Sequence, residues 1–384
     1  MLSFPPSQAG NLYGFIKILQ RGGIELERVK RTDRKADVQI YIPFDQPYGE
    51  FAKTLLEQQR YPNLKNEKGE PIPPYDVTAH TLSLLRNIKV DHVTKKPDFI
   101  SVTEFDPFYG SPRKMCKQQF SYWLYRSWIP SMDEGWTRWF FDNYGWMVPS
   151  KDALPCSDIQ QRTVELNDKQ IRSGIDMSTS RIIIFPDQSP SQTLNGYAKG
   201  SMPEEYVGGV GKEGVENLKK FVEAGGTLVF LNRASDFAIE QFGLPIKDVT
   251  QGLARKDFYI PGSILRTELD TTSPIAKGMP ADSIAWFENG PVFEVLSSNF
   301  SLPASTEKPA EAGTQSIKII ARYPTDPAKI LLSGWALGAQ KIAGKAALLE
   351  VRYGKGKIVL FGFRPQYRGQ SLATFPLFFN AISQ

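Results

Sequence analysis

Three short polar stretches carry the side chains most able to do chemistry: Asp187-Gln188, Asn232-Arg233-Ala234-Ser235-Asp236, and Arg364-Pro365-Gln366-Tyr367-Arg368. Each follows an apolar run, at 181–185, 227–231 and 357–363, of the kind that forms a strand covered on both faces. In an open α/β sheet the ligand crevice lies beyond the carboxyl ends of such strands, so the three stretches are predicted to converge. Carboxylate, amide and guanidinium groups gathered in one cleft suit a carboxylate, an amide or a sugar hydroxyl, because arginine offers a planar two-pronged donor. The competing reading has Asp187 and the arginines pair with one another and only order the loops. The candidate ligand-binding residues are Asp187, Gln188, Asn232, Ser235, Arg364, Gln366 and Arg368; no residue is assigned a catalytic role.

Covalent chemistry is harder to place. An amidotransferase needs a cysteine on a sharp, glycine-framed turn between strand and helix, with a histidine and a carboxylate behind it. The turn at 232–235 has no thiol. Ser235, or a cysteine brought close by folding, is the alternative nucleophile for a hydrolase or amidotransferase, but both histidines, His80 and His92, lie far from Ser235 in sequence, and Ser235 reads better as a helix N-cap. Cys116, between Lys114 and Lys117, and Cys156 have no glycine frame and read as surface or packing residues. Gly209-Val210-Gly211-Lys212-Glu213-Gly214 matches the dinucleotide pattern G-x-G-x-x-G, yet the preceding strand ends at 185, so the match reads as a loop entering a helix. No H-x-x-E or H-E-x-x-H spacing occurs, and neither a metal nor a cofactor is predicted. His80, near Asp76, reads as a hydrogen-bonded structural histidine. Trp123, Trp128, Trp136, Trp139 and Trp146 read as core rather than as platforms for sugars.

The elements that must position these groups follow from periodicity. At 384 residues and 41% hydrophobic content the chain has material for two or three domains. Its formal charge of +5, from 46 basic and 41 acidic residues, is spread without a basic run and leaves no nucleic-acid footprint. No run approaches the ~20 apolar residues of a membrane helix, and the N-terminus lacks signal-peptide features.

Residues 1–95 read as a small α/β unit whose first strand is cut short by the chain start. A helix at 12–20 turns Phe15, Ile16, Ile18 and Leu19 inward and stops at Gly22-Gly23; strands at 24–29 and 38–42, a helix at 49–58 and an exposed loop at 61–74 follow.

Residues 96–384 read as an α/β domain with a doubly wound, flavodoxin-like, mostly parallel sheet. Its pieces are a strand at 119–126, a capping box from Ser131 to Glu134, and a helix burying Met132, Trp136, Trp139 and Phe140. A long loop at 189–211, a helix at 214–224 and a β-rich insertion at about 245–330 come next. A hairpin turn at 353–357 places antiparallel strands at one edge, and a last helix lies at 372–381.

Residues 131–139, 183–189 (Ile-Ile-Phe-Pro-Asp-Gln-Ser), 221–228 (Phe-Val-Glu-Ala-Gly-Gly-Thr-Leu) and 354–370, with 41–58, 61–62 and 75–78, together resemble the C-terminal region of bacterial zinc carboxypeptidase-like proteins. The resemblance implies a class I glutamine amidotransferase-like fold following a carboxypeptidase A-type zinc domain, and a periplasmic or secreted location. Neither the zinc signature nor the amidotransferase cysteine has a counterpart here. The expectation is therefore a non-catalytic accessory region that binds a peptide end, a sugar or a neighbouring zinc carboxypeptidase domain. A purely structural domain packed on such a peptidase is the other reading, without nucleic-acid binding or membrane insertion.

Overall fold

A computed structural model describes residues 1–4, 9–29, 38–101, 120–144, 161–296, 299–300 and 315–383. The N-terminal unit contains β1 (Leu2–Phe4), α1 (Ala9–Arg21), β2 (Glu27–Val29), β3 (Val38–Tyr41), α2 (Gly49–Leu56), α3 (Leu82–Leu85), β4 (Lys89–Val90) and β5 (Phe99–Ser101). Its strands pair antiparallel in the order β4-β1-β3-β2-β5. Phe15, Ile16 and Leu19 share one face of α1 and pack with Leu2, Ile40, Ala52 and Leu56 into a small core, while Ile18 stays half-buried. At the end of α1, Gly23 takes a left-handed φ of 75° and the Ile24 amide returns to the Leu19 carbonyl.

The larger unit opens with β6 (Phe120–Tyr125), α4 (Met132–Tyr144), β7 (Gln161–Leu166), α5 (Asp168–Ser173), β8 (Ile182–Phe185), α6 (Pro190–Asn195), α7 (Gly211–Glu223), β9 (Thr227–Leu231) and α8 (Ala234–Phe242). It continues with β10 (Ile246–Asp248), β11 (Pro261–Leu269), β12 (Asp282–Glu288), β13 (Phe293–Val295), β14 (Asn299–Phe300), β15 (Gln315–Arg322), β16 (Leu331–Ser333), β17 (Ala346–Tyr353), β18 (Gly356–Phe361) and α9 (Phe375–Ile382). Five strands are parallel in the order β7-β6-β8-β9-β18. Numbered along the parallel set, that order is 2-1-3-4-5, the flavodoxin-like winding. Beyond β18 the same sheet runs on antiparallel through β17, β15, β11 and β12, so the β-rich stretch extends the sheet and reaches Tyr353.

Strand periodicity explains the two cores. Ile184, Val229, Leu231, Val359 and Phe361 point to one face and meet Phe140 of α4 and Phe375, Phe378 and Phe379 of α9. Ile183, Phe185, Leu228, Phe230, Ile358 and Leu360 point to the other and meet Leu218, Phe221 and Val222 of α7 and Phe237 of α8. Each such aromatic or aliphatic side chain contributes roughly 1.5–3 kcal/mol by leaving water. With both faces covered, the strands read as unbroken apolar runs.

Several expectations change. The strand β5 pairs with β2, so the N-terminal sheet extends to Ser101 rather than ending at 95. Residues 59–81 also lie on the larger sheet: Gln59 N donates to Ser333 Oγ at 2.8 Å, Thr78 Oγ1 meets Ser263 Oγ at 2.8 Å, and Thr81 Oγ1 meets Ser333 Oγ at 2.8 Å. The stretch 189–211 is no simple loop, because Ser189 caps α6, accepting from the Gln192 amide. Gly211 opens α7 well after β8 has ended, with α6 between them, and the Gly209 carbonyl accepts from Arg172. The G-x-G-x-x-G match therefore lacks the strand that a dinucleotide site requires.

Candidate functional site

The ends of β8, β9 and β18 converge on Asp187, whose side chain is 2% exposed. Its Oδ1 accepts from Asn232 Nδ2 (2.9 Å), the Arg233 amide (3.1 Å) and Arg233 Nε (3.0 Å); its Oδ2 accepts from one terminal nitrogen of Arg233 (2.8 Å) and one of Arg364 (2.7 Å). Arg364 is 11% exposed and spends the rest of its fork on Asp133 Oδ2 (3.0 Å), Glu288 Oε2 (3.1 Å) and the Glu288 carbonyl (3.1 Å). One guanidinium thus ties the first turn of α4, the end of β8 and the end of β12 to the end of β18.

The backbone at this point is unusual in ways the contacts explain. Asn232 sits between β9 and α8 with a φ of 54°, and Asn289 after β12 has a φ of 50°. Gly290 and Gly362 approach so closely that a Cβ on Gly290 would strike the Gly362 carbonyl and Asn232 Oδ1. That Oδ1 is buried without a hydrogen-bond partner, as is Gln366 Oε1.

Electrostatics follow burial and pairing. Burial alone would raise the Asp187 carboxyl, but the hydrogen bond from Arg233 and the charges of Arg364 and Arg233 bring it down to about 2. Asp133 goes the other way: burial raises it, and Arg364 only partly opposes the rise. Next to this network Asp236, in the first turn of α8, is pushed up to about 8 by burial and by the charges of Asp248 and Glu240. It lines a cavity of about 250 Å³ with Asp248, Arg255, Tyr259 and Asn289.

The remaining candidates separate. Gln188 is buried and donates to the Ile129 carbonyl at 3.2 Å. Gln366 donates to Thr137 Oγ1 at 3.0 Å within the interior. Ser235 is fully buried inside α8; its hydroxyl donates to the Phe361 (2.9 Å) and Phe230 (3.2 Å) carbonyls, and the N-cap position belongs to Arg233. The N-cap reading is corrected, and the hydroxyl holds two strands to a helix. Arg368 leaves the Asp187 group altogether and pairs two-pronged with Asp76 of the N-terminal unit at 2.8 Å for each bond.

Ser131 does not form the expected box: its hydroxyl donates to the Asp187 carbonyl at 2.8 Å, and Glu134 pairs with Arg138. On α4 the buried side chains are Thr137, Phe140 and Phe141, whereas Met132 is 81% and Trp139 38% exposed, which corrects the expected buried face. Trp128 and Trp136 are half-buried, and Trp123 belongs to the core. His80 is exposed rather than structural. Cys116, Cys156 and Trp146 lie outside the described residues. Among the described residues, no group of three His, Cys, Asp or Glu side chains is placed to hold a metal, and no helix is long and apolar enough to cross a membrane.

Sequence reasoning missed Asp133 and Glu288 as partners and passed over the true switch point. The winding reverses between β6 and β8, where a cleft of about 200 Å³ is lined by Arg126, Ser127, Trp128, Ser131, Glu134 and Gln188. Asp168 fixes its wall, accepting from Tyr125 Oη at 2.6 Å and the Trp128 amide at 3.0 Å. The run 120–125 followed by Arg126 was the available signal.

No protein-family model matches the chain, and no curated protein matches it either. Among solved structures it is similar to a ThuA-like protein from Bacteroides uniformis, at 14% identity and a TM-score of 0.35, covering 70% of this chain and 94% of that one. A ThuA-like protein from Parabacteroides merdae gives 12% identity and a TM-score of 0.30, covering 67% of this chain and 88% of that one. A β-galactosidase from Bacillus circulans sp. alkalophilus gives 11% identity and a TM-score of 0.37, covering 67% of this chain and 30% of that one. Similarities this low transfer no substrate or activity.

Proposed function

We propose that this chain is a non-catalytic region that binds a small polar ligand at the β6/β8 switch-point cleft and works beside a zinc carboxypeptidase-like domain. The observation that carries the binding reading is the state of the turn after β9. Where an acyl-transfer enzyme would present a nucleophile, Asn232 occupies the left-handed position and donates to Asp187, and the Ser235 hydroxyl is spent on strand carbonyls. The cleft next to it keeps an exposed Arg126, an indole at Trp128 and the amide of Gln188 around a space of about 200 Å³. That is below the ~300–1,000 Å³ of drug-sized pockets, so one amino-acid end or one sugar ring is the fitting size. The peptidase link draws on the sequence resemblance alone.

Titration calorimetry with a free-carboxylate tripeptide and with a chitin disaccharide tests the reading. Binding of either probe should weaken about tenfold, the equivalent of one good polar contact, in Gln188→Ala and in Trp128→Ala. No binding of either, or binding indifferent to both substitutions, ends it.

One observation favours a second reading, in which the chain packs on a peptidase domain. Phe44 (40%), Tyr48 (54%) and Phe51 (46%) are exposed on the N-terminal unit, with Tyr48 and Phe51 lying against Gly23 and Gly22. Adjacent exposed aromatics of this kind mark interaction surfaces.

A further inference from the structure

A second opening, independent of the cleft, lies between α1 of the N-terminal unit and α4 of the larger one, with the turn at Arg368-Gly369-Gln370 at its side. It encloses about 1150 Å³, several times the volume of the switch-point cleft. We propose that this groove binds an acidic oligosaccharide.

Three features of the lining point to that chemistry. Trp136, Trp139 and Tyr144 make an aromatic wall; the two indoles meet edge to face at 5.8 Å and 77°, and Tyr144 meets Trp139 at 5.8 Å and 61°. Trp139 is 38% exposed although it is a large apolar side chain, and Trp136 is half-buried, so indole surface is presented to the groove. The lining also carries Lys17, Arg21, Arg86 and Arg368, and none of the described lining residues is acidic. Arg368 is anchored by Asp76, and the balance of the lining is basic. Finally Gln20 and Gln370 bring amides, which can both give and accept hydrogen bonds as sugar hydroxyls require.

The backbone is held in strain to build this wall. Arg368 has a φ of 41° and Gly369 a φ of 65°, and any side chain at 369 would run into the Trp139 ring. A non-glycine residue in that region persists only where its surroundings enforce it. An acidic peptide fits less well, since the long walls are two helices whose backbone groups are used internally and, among the described lining residues, no strand edge offers main-chain pairing. Pyranose rings against the aromatic wall, hydroxyls at the glutamine amides and uronate carboxylates at the exposed Lys17 and Arg21 match this lining.

The test is calorimetric titration of the full chain with a short oligogalacturonate, with a neutral cello-oligosaccharide and poly-L-glutamate in parallel. The inference expects saturable binding of the oligogalacturonate, weakened by added salt. It should fall about tenfold or more in Trp139→Ala and in the Lys17→Gln/Arg21→Gln double variant, and stay unchanged in Gln188→Ala, which separates it from the cleft. Lys17 and Arg21 are exposed, so the double variant keeps the test valid if Trp139→Ala disturbs folding. Absence of oligogalacturonate binding, equal binding of the neutral sugar, binding that survives the double variant, or polyglutamate binding as tight and indifferent to Trp139→Ala overturns the inference.

Discussion

Replacing Arg364 with alanine probes the crevice at its centre. The side chain makes hydrogen bonds to Asp133, Asp187, Glu288 Oε2 and the Glu288 carbonyl while almost fully buried. Asp187 would keep Arg233 and Asn232, but Asp133 would be left buried without its cation. Removing one partner of a buried ion pair costs about 3–5 kcal/mol, chiefly because the remaining charge is stranded. For a chain of this size that is a fall of roughly 5 °C in melting temperature. The penalty depends on pH. Asp187 is held at about 2 in the fold, so its ionic stabilisation is complete above the ordinary carboxylate range and is lost as pH falls through about 2. In the variant the folded carboxyls titrate higher and take up protons sooner. The gap between wild type and Arg364→Ala should therefore be widest near neutral pH and narrow in acid as the pH falls toward about 2. Urea midpoints followed by tryptophan fluorescence at neutral and acidic pH measure it. A loss under about 1 kcal/mol, or a gap that does not narrow in acid, would refute the argument that this guanidinium joins the strand ends.

Three further outcomes follow from the same geometry. Asp236→Asn should stabilise the protein progressively as pH rises from about 4 to about 8, because the wild-type acid must stay protonated or ionise in a buried site; a gain on the order of 5 kcal/mol by pH 8 in thermal melts is expected. Ser235→Ala strips a donor from the Phe230 and Phe361 carbonyls and should cost about 1 kcal/mol in denaturant titrations, with no effect on ligand binding at the cleft. Gly290→Ala sets a methyl against the Gly362 carbonyl and Asn232 Oδ1, and circular dichroism melts should show a loss of about 1–3 kcal/mol.

What the sequence discloses here is what periodicity controls. The run at 227–231 is apolar throughout because both sheet faces are covered, and it forms β9 with those bounds. The turn at Gly354-Lys355 was legible from its glycine, which takes a φ of 57° between β17 and β18. The convergence of Asp187, Asn232 and Arg364 followed from strand direction alone. Glu288 was not legible, since it reaches the crevice on β12, a strand brought there by antiparallel pairing with no local marker for its partner. Trp139 and Met132 misled because helical spacing marks a shared face without saying which face is buried; Phe140 and Phe141 took the core. The end of the N-terminal unit was missed for a similar reason, as neither the pairing of Phe99–Ser101 with β2 nor the bonds of Thr78 and Gln59 to the larger sheet leave a trace in composition.

A crevice whose charges are already matched restricts where binding energy can come from. To engage Arg364, an incoming carboxylate would have to displace Asp133, Asp187 or Glu288, at about 3–5 kcal/mol for a stranded partner, against the ~8 kcal/mol that defines micromolar affinity. The exchange gains little, since one carboxylate replaces another in the same geometry. Arg233 is partly exposed, yet both of its bonds to the Asp187 carboxylate use the prongs a ligand would need. On the readings proposed above, binding draws on polar and aromatic groups outside this network, beside Trp128 and Gln188 or along the groove of Trp136 and Trp139. Arg233 and Arg364 then act as fasteners: they fix the positions of α4 and of the turns after β9 and β18, and so set the frame of both openings without reaching what enters them.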